Sequence, residues 1–195
     1  MTRVLVPLVD GFEEIEAIAI IDILRRAEIE TVVAAAELET DESICGSHGI
    51  CVRPDTTLTA LGDALATEFD AIAIPGGPGV KTLLQLPTLI DLVHQFHVRQ
   101  KTVAAICAAP LVLSKAGILR HCTATSFPSV SDEIDSASYS TDRVVLDGSI
   151  LTSRGAGTAV EFALQLVTVL AGEARANAVG EAILANWSPL MMPVG

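Results

Sequence analysis

Two hydrophobic rhythms alternate along this chain, and their alternation restricts its fold more than any other feature. Short, continuously apolar runs rich in Val and Ile recur: RVLVPLV at 3–9, TVVAAA at 31–36, AIAI ahead of IPGG in the seventies, and TVAAI at 102–106. Between them lie longer stretches whose apolar residues return at helical spacing, IEAIAIIDILRRA at 15–27 and PTLIDLVHQFHVRQ at 87–100. A strand apolar on both sides must be covered on both faces, and covered strands joined through helices run parallel with right-handed crossovers. The expectation is a doubly wound α/β fold with a mostly parallel sheet. Small antiparallel hairpins add to it. One is expected near Cys45–Val52, and another is signalled by Asp147-Gly148 inside RVVLDGSILTS. GTAVEFALQLVTVLAG reads as an amphipathic helix, followed by a last helix to about Trp187.

Half of the 195 residues are hydrophobic, enough for one core, so residues 1–195 are read as a single domain. The 24 acidic against 12 basic side chains give a net charge of −12, which repels phosphate backbones and anionic lipid heads. Nucleic acid and membrane are therefore not expected partners. The opening apolar run is too short for a signal peptide and turns acidic at once, so a cytoplasmic protein is expected. Cys45, Cys51, Cys107 and Cys122 form no C-x-x-C pair and are expected to be reduced thiols.

Cys107 ends TVAAI where AAPLVLSKAG begins a helix. In open α/β sheets ligands gather at the carboxyl ends of strands. A thiol there meets backbone N–H groups and a helix N-terminus, both of which lower its pKa. The alternative is a cysteine packed as a small hydrophobe. Glu16 shares a helical stripe with Ile20, Ile23, Leu24 and Ala27, so its carboxyl is expected to be buried, with a raised pKa, at the same sheet edge. Glu13 and Glu14 fit the ordinary role of first-turn acids. The glycines of IPGGPG lack the spacing of a dinucleotide fingerprint and the Lys of a P-loop. They read either as a tight connection or as an oxyanion hole. His94 and His97 lie three apart on a helix without a third ligand at metal-site spacing, so no metal is expected.

Together GFEEIEA, IPGG, AAICAAP and LTSRGAGTAVEFAL resemble, in order and spacing, the ThiJ/PfpI superfamily, whose fold is that of class I glutamine amidotransferases, and within it the protein deglycase branch. The resemblance implies a flavodoxin-like fold, a homodimer, no cofactor, and a reactive Cys107 hydrogen-bonded to a protonated Glu16. It implies backbone groups of Gly76, Gly77 and Ala108 around the sulfur, and suggests Arg26, His48 and Phe127 as substrate-binding positions. The departures are specific. Ala108 follows the cysteine where peptidase-like members carry His, and no His follows His121, against the glutaminase pattern. Phe127 stands where some relatives have His, His48 where relatives often have Arg, and Ala156 where they usually have Pro. The implied function is a cysteine-dependent glyoxalase III or deglycase acting on methylglyoxal, glyoxal or their glycation adducts through a hemithioacetal. Its rival is an oxidative-stress sensor or holding chaperone using the same thiol.

Overall fold

A computed structural model describes residues 1–37, 43–62 and 65–190. Its strands are β1 (Arg3–Leu8), β2 (Glu30–Ala35), β3 (Ile44–Cys45), β4 (Cys51–Val52), β5 (Thr56–Thr57), β6 (Ala71–Ile74), β7 (Thr102–Ile106), β8 (Thr123–Ala124), β9 (Ser138–Tyr139), β10 (Val144–Asp147) and β11 (Ile150–Ser153). The helices are α1 (Glu14–Arg26), α2 (Leu58–Leu61), α3 (Leu65–Glu68), α4 (Val80–Leu83), α5 (Pro87–Val98), α6 (Pro110–Lys115), α7 (Ala159–Ala171) and α8 (Glu173–Ala182). Seven strands form one sheet in the order β10-β11-β7-β6-β1-β2-β5, parallel except for the β10–β11 hairpin at Asp147-Gly148. The doubly wound reading of the apolar runs holds.

Each face of the sheet is covered because its central strands β1, β6 and β7 are apolar on both sides. Val4, Val6 and Leu8 point into a core roofed by α1, α7 and α8, while Leu5, Ile72, Ile74 and Val103 point into one covered by α5 and α6. On α1, the inward residues Ala17, Ile20, Ile21, Ile23 and Leu24 are all buried. Burying each Ile or Leu side chain contributes roughly 1.5–3 kcal/mol, which holds this helix against β2 and α7 without ideal propensity. After β1 the chain builds outward through β2 to β5, then returns to β6 on the other side of β1. The topological switch point therefore lies between β1 and β6, the place where an open α/β sheet leaves a crevice.

Two sequence expectations are corrected. The last helix stops at Ala182, not near Trp187. Leu184 takes φ 56°, its N–H donates to the Glu181 carbonyl, and the Ala185 N–H donates back to Gly180. This is a Schellman end built on leucine, without the glycine that normally announces it. Trp187 folds back so closely on Gly180 that a Cβ there would lie 2.4 Å from the indole nitrogen. Second, Cys45 and Cys51 are not free thiols: they pair directly across the β3–β4 ladder and are joined in a disulfide. Only Cys107 and Cys122 are free among the cysteines. Spacing alone hid the bridge, because the pairing depends on the hairpin register and not on a short motif. No helix among the described residues is long and apolar enough to cross a membrane.

Candidate active site

β7 delivers Cys107 to the carboxyl edge of the sheet, and the chain turns there at a cost. Cys107 has φ 65°, a left-handed conformation uncommon outside glycine. Two long-range bonds hold it: the Cys107 N–H donates to the Ser153 carbonyl at 2.9 Å, and its own carbonyl accepts from the Phe127 N–H at 2.7 Å. β11 and the backbone at Phe127 thus over-determine the turn, and the reading of Cys107 as a core hydrophobe gives way to that of an elbow.

α1 begins two residues before Glu16 and carries it to the same edge, at the switch point. Its side chain is fully buried. The Gly76 N–H donates to Oε2 at 2.7 Å, whereas Oε1 is buried without a hydrogen-bond partner. Gly76 is required by space: a Cβ there would lie 2.6 Å from the Cys107 Cβ and 2.9 Å from Glu16 Oε2. Gly77 combines φ 99° with a hypothetical Cβ only 2.5 Å from the Glu13 nitrogen and the Gly11 oxygen. The glycine-rich turn is therefore both a tight connection and a close backbone approach. Of the three backbone groups implied by the resemblance, Gly77 and Ala108 direct N–H groups at the sulfur. Gly76 does not; its N–H is taken by Glu16.

The two ionisable groups share a proton economy. Burial pushes the Glu16 carboxyl up to about 7, aided by the Glu13 charge and opposed by the Gly76 N–H and the Cys107 hydrogen bond. Burial, the Glu16 charge and their mutual hydrogen bond push the Cys107 thiol up to about 12, against the N–H groups of Gly77 and Ala108. The expectation of a depressed thiol pKa is thus corrected: burial and the carboxylate outweigh the backbone donors. Because the groups interact strongly, the first proton leaves the pair near neutrality and the second only in strong alkali. In such a pair the ionised carboxylate is the group placed to accept the thiol proton.

The remaining positions separate. Phe127 is half-exposed and lies beside the site, its ring 3.3 Å from where a Gly155 Cβ would stand; Gly155 in turn faces Glu16 Oε1. Arg26 lies ten residues along α1 from Glu16, about 15 Å at 1.5 Å per residue, and binds Asp22 at 2.6 Å in an i,i+4 pair. It stands at the far end of the helix, away from the sulfur. His48 is exposed on the β3–β4 turn and meets Glu14, not Cys107. Glu14, nearly buried, accepts from the Ser47 hydroxyl, the His48 N–H and the His48 ring. Burial would raise its pKa, but the His48 side chain and backbone hold it down to about 2. Sequence reasoning missed this contact, since Glu14 and His48 lie 34 residues apart. Glu13 Oε2 accepts the Glu16 N–H and caps α1. Glu13, Glu14 and His48 bring ligand atoms within 4.8 Å of one another and form a group that could hold a metal ion. A cleft of about 460 Å³ between α2 and α5, lined by Leu58, Thr59, Asp91 and Gln95, contains none of these residues.

A family model described as the DJ-1/PfpI family matches residues 2–169. The chain belongs to the DJ-1/PfpI family. It is 37% identical over 187 residues to Protein dj-1beta of Drosophila melanogaster, covering 94% of this chain and 97% of that protein. It is 34% identical over 178 residues to the glutathione-independent glyoxalase DJR-1.2 of Caenorhabditis elegans, covering 90% and 91%. Among solved structures, an oxidised form of Toxoplasma gondii DJ-1 superposes with a TM-score of 0.88 at 35% identity, over 95% of this chain and all of that one. The family likeness supports a DJ-1-like function, and the family includes a protein named as a glyoxalase.

Proposed function

We propose that this DJ-1/PfpI protein is a cofactor-independent, cysteine-dependent glyoxalase III or deglycase acting on methylglyoxal, glyoxal or their early glycation adducts. The observation that carries this reading is the elbow thiol of Cys107 beside a buried carboxyl that titrates near neutrality. An acid of that pKa both accepts and returns protons at physiological pH. The ionised Glu16 takes the Cys107 proton as sulfur attacks the aldehyde carbon, and the N–H groups of Gly77 and Ala108 stabilise the developing oxyanion. Protonation of that oxygen gives a hemithioacetal. Glu16 then removes the proton from the former aldehyde carbon and returns it to the neighbouring one, leaving a thioester of the hydroxy acid. Water cleaves the thioester, releases lactate from methylglyoxal and restores the thiol. Phe127 forms an apolar lip beside this chemistry.

Protein free of metal and glutathione is expected to form lactate from methylglyoxal, and Cys107→Ala to form none above the uncatalysed rate. Equal rates for the two would end the enzymatic reading. In that case the same geometry supports a redox sensor or holding chaperone. The N–H groups at the sulfur and the unpartnered Glu16 Oε1 suit the oxygens of an oxidised thiol.

Pairing into a homodimer belongs to the same proposal. Ile15 and Ile18 on α1 and Ile50 on the β3–β4 turn are 59%, 42% and 57% exposed, an apolar set out of place on so acidic a surface. Sedimentation at micromolar concentration is expected to give twice the 20.4 kDa of one chain. A monomer there would contradict the proposal.

A further inference from the structure

The Cys45–Cys51 disulfide lies outside the proposed chemistry, yet the segment it closes is bonded to the scaffold of the site. The bridge joins directly opposed residues of β3 and β4, and so closes the turn that carries Ser47 and His48. That turn grips the β1–α1 connection at successive points. The Cys45 N–H donates to Asp10 Oδ1 at 2.8 Å, and the Cys45 carbonyl accepts from Gly11 at 2.7 Å. The Ser47 N–H donates to Phe12 at 2.9 Å, and the His48 N–H and ring meet Glu14. On its other side, the same connection holds the glycine turn. The Glu13 N–H donates to the Gly76 carbonyl at 2.9 Å, and the Gly79 N–H donates to the Gly11 carbonyl at 2.9 Å. Gly76 in turn fixes the Glu16 carboxyl. Gly46 is packed against Glu14 with no room for a side chain, a Cβ falling 2.4 Å from the carboxyl carbon.

We propose that the Cys45–Cys51 pair is a redox-operated clamp: as a disulfide it locks the β3–β4 turn onto residues 10–14, and on reduction it releases that grip and loosens the Gly76–Gly79 turn behind it. The reductant is a low-molecular-weight thiol or dithiol. Its thiolate attacks the sulfur of Cys51, the more exposed residue of the pair in the single chain. Cys45 leaves as a thiolate, and a second thiol resolves the mixed disulfide. Two electrons and two protons pass to the cysteine pair, and the reductant becomes a disulfide. The coupling runs through contiguous hydrogen bonds, from the β3–β4 turn to residues 10–14 and on to Gly76 and Gly79. The clamp operates whether or not the protein turns over dicarbonyls.

Amide exchange followed by NMR on full-length protein, oxidised and after native reduction with millimolar dithiothreitol, tests it. Reduction is expected to speed exchange of the Ser47 and His48 amides at least tenfold, and of the Gly76 and Gly79 amides at least threefold. The Cys45→Ser/Cys51→Ser double variant should match the reduced protein, which serves alone if that variant does not fold. The proposal is overturned if the bond resists native reduction. It is equally overturned if exchange in the hairpin is unchanged, or if the hairpin loosens while Gly76 and Gly79 stay as protected as before.

Discussion

Glu16→Gln is expected to lower dicarbonyl turnover by about 10²–10⁴-fold, the usual contribution of a positioned general acid–base, while leaving the protein folded. The amide has the shape of the carboxyl, and its oxygen still accepts the Gly76 N–H that Oε2 now takes. What it lacks is the capacity to take a proton from Cys107 and to carry one between the substrate carbons. Substrate binding depends on the elbow and its backbone donors, which the substitution leaves in place, so the loss should fall on kcat more than on KM. A variant retaining full turnover would show that Glu16 carries no proton. An unfolded variant would make the residue architectural.

The same substitution is expected to change stability in a pH-dependent direction. The folded pKa of Glu16 stands at about 7, against an ordinary 4.5, so between these values the folded protein holds a proton that the unfolded chain has lost. Stability from this group is therefore complete below about pH 4.5 and is lost as pH rises to about 7, a fall of about 3 kcal/mol at 1.36 kcal/mol per unit. Glu14, held down to about 2, acts outside this window, since its contribution is lost only as pH falls below 4.5. Above pH 7 Glu16 is a buried charge, and Glu16→Gln should stabilise the protein by about 1–3 kcal/mol at pH 8 and confer no gain at pH 4. Urea unfolding of both proteins at the two pH values measures this. Equal stability differences at both would mean that Glu16 does not titrate near neutrality.

How far the site could be read in advance depended on whether each residue's role was local. The sheet was legible because apolar runs and helical stripes record burial directly, and the stripe through Ile20 and Leu24 also put Glu16 inside. Cys107 was legible from its place after a strand and before a proline. Its burial was not, and that burial reverses the direction of its pKa. Gly76 was legible as a close approach, but which group its N–H serves depends on α1 and β6 meeting at the switch point, a tertiary fact. Arg26, in the last turn of α1, fits the ordinary reading of a cation at a helix C-terminus, and the i,i+4 bond to Asp22 pairs it there. The Cys45–Cys51 bridge and the Glu14–His48 contact depend on hairpin register and docking, which no spacing in the chain encodes.

At the centre of the account is the transfer of the Cys107 proton to Glu16. Its most direct test is the pH dependence of iodoacetamide alkylation at Cys107, mapped by mass, in the wild-type protein and in Glu16→Gln. With Glu16 as base, the wild-type rate should rise through about pH 7 as Glu16 ionises and then level off, whereas the variant, lacking that group, should show no step near pH 7 and rise only with ionisation of the thiol itself. Identical profiles for the two proteins, or a wild-type rate that begins to rise only above pH 9, would contradict it.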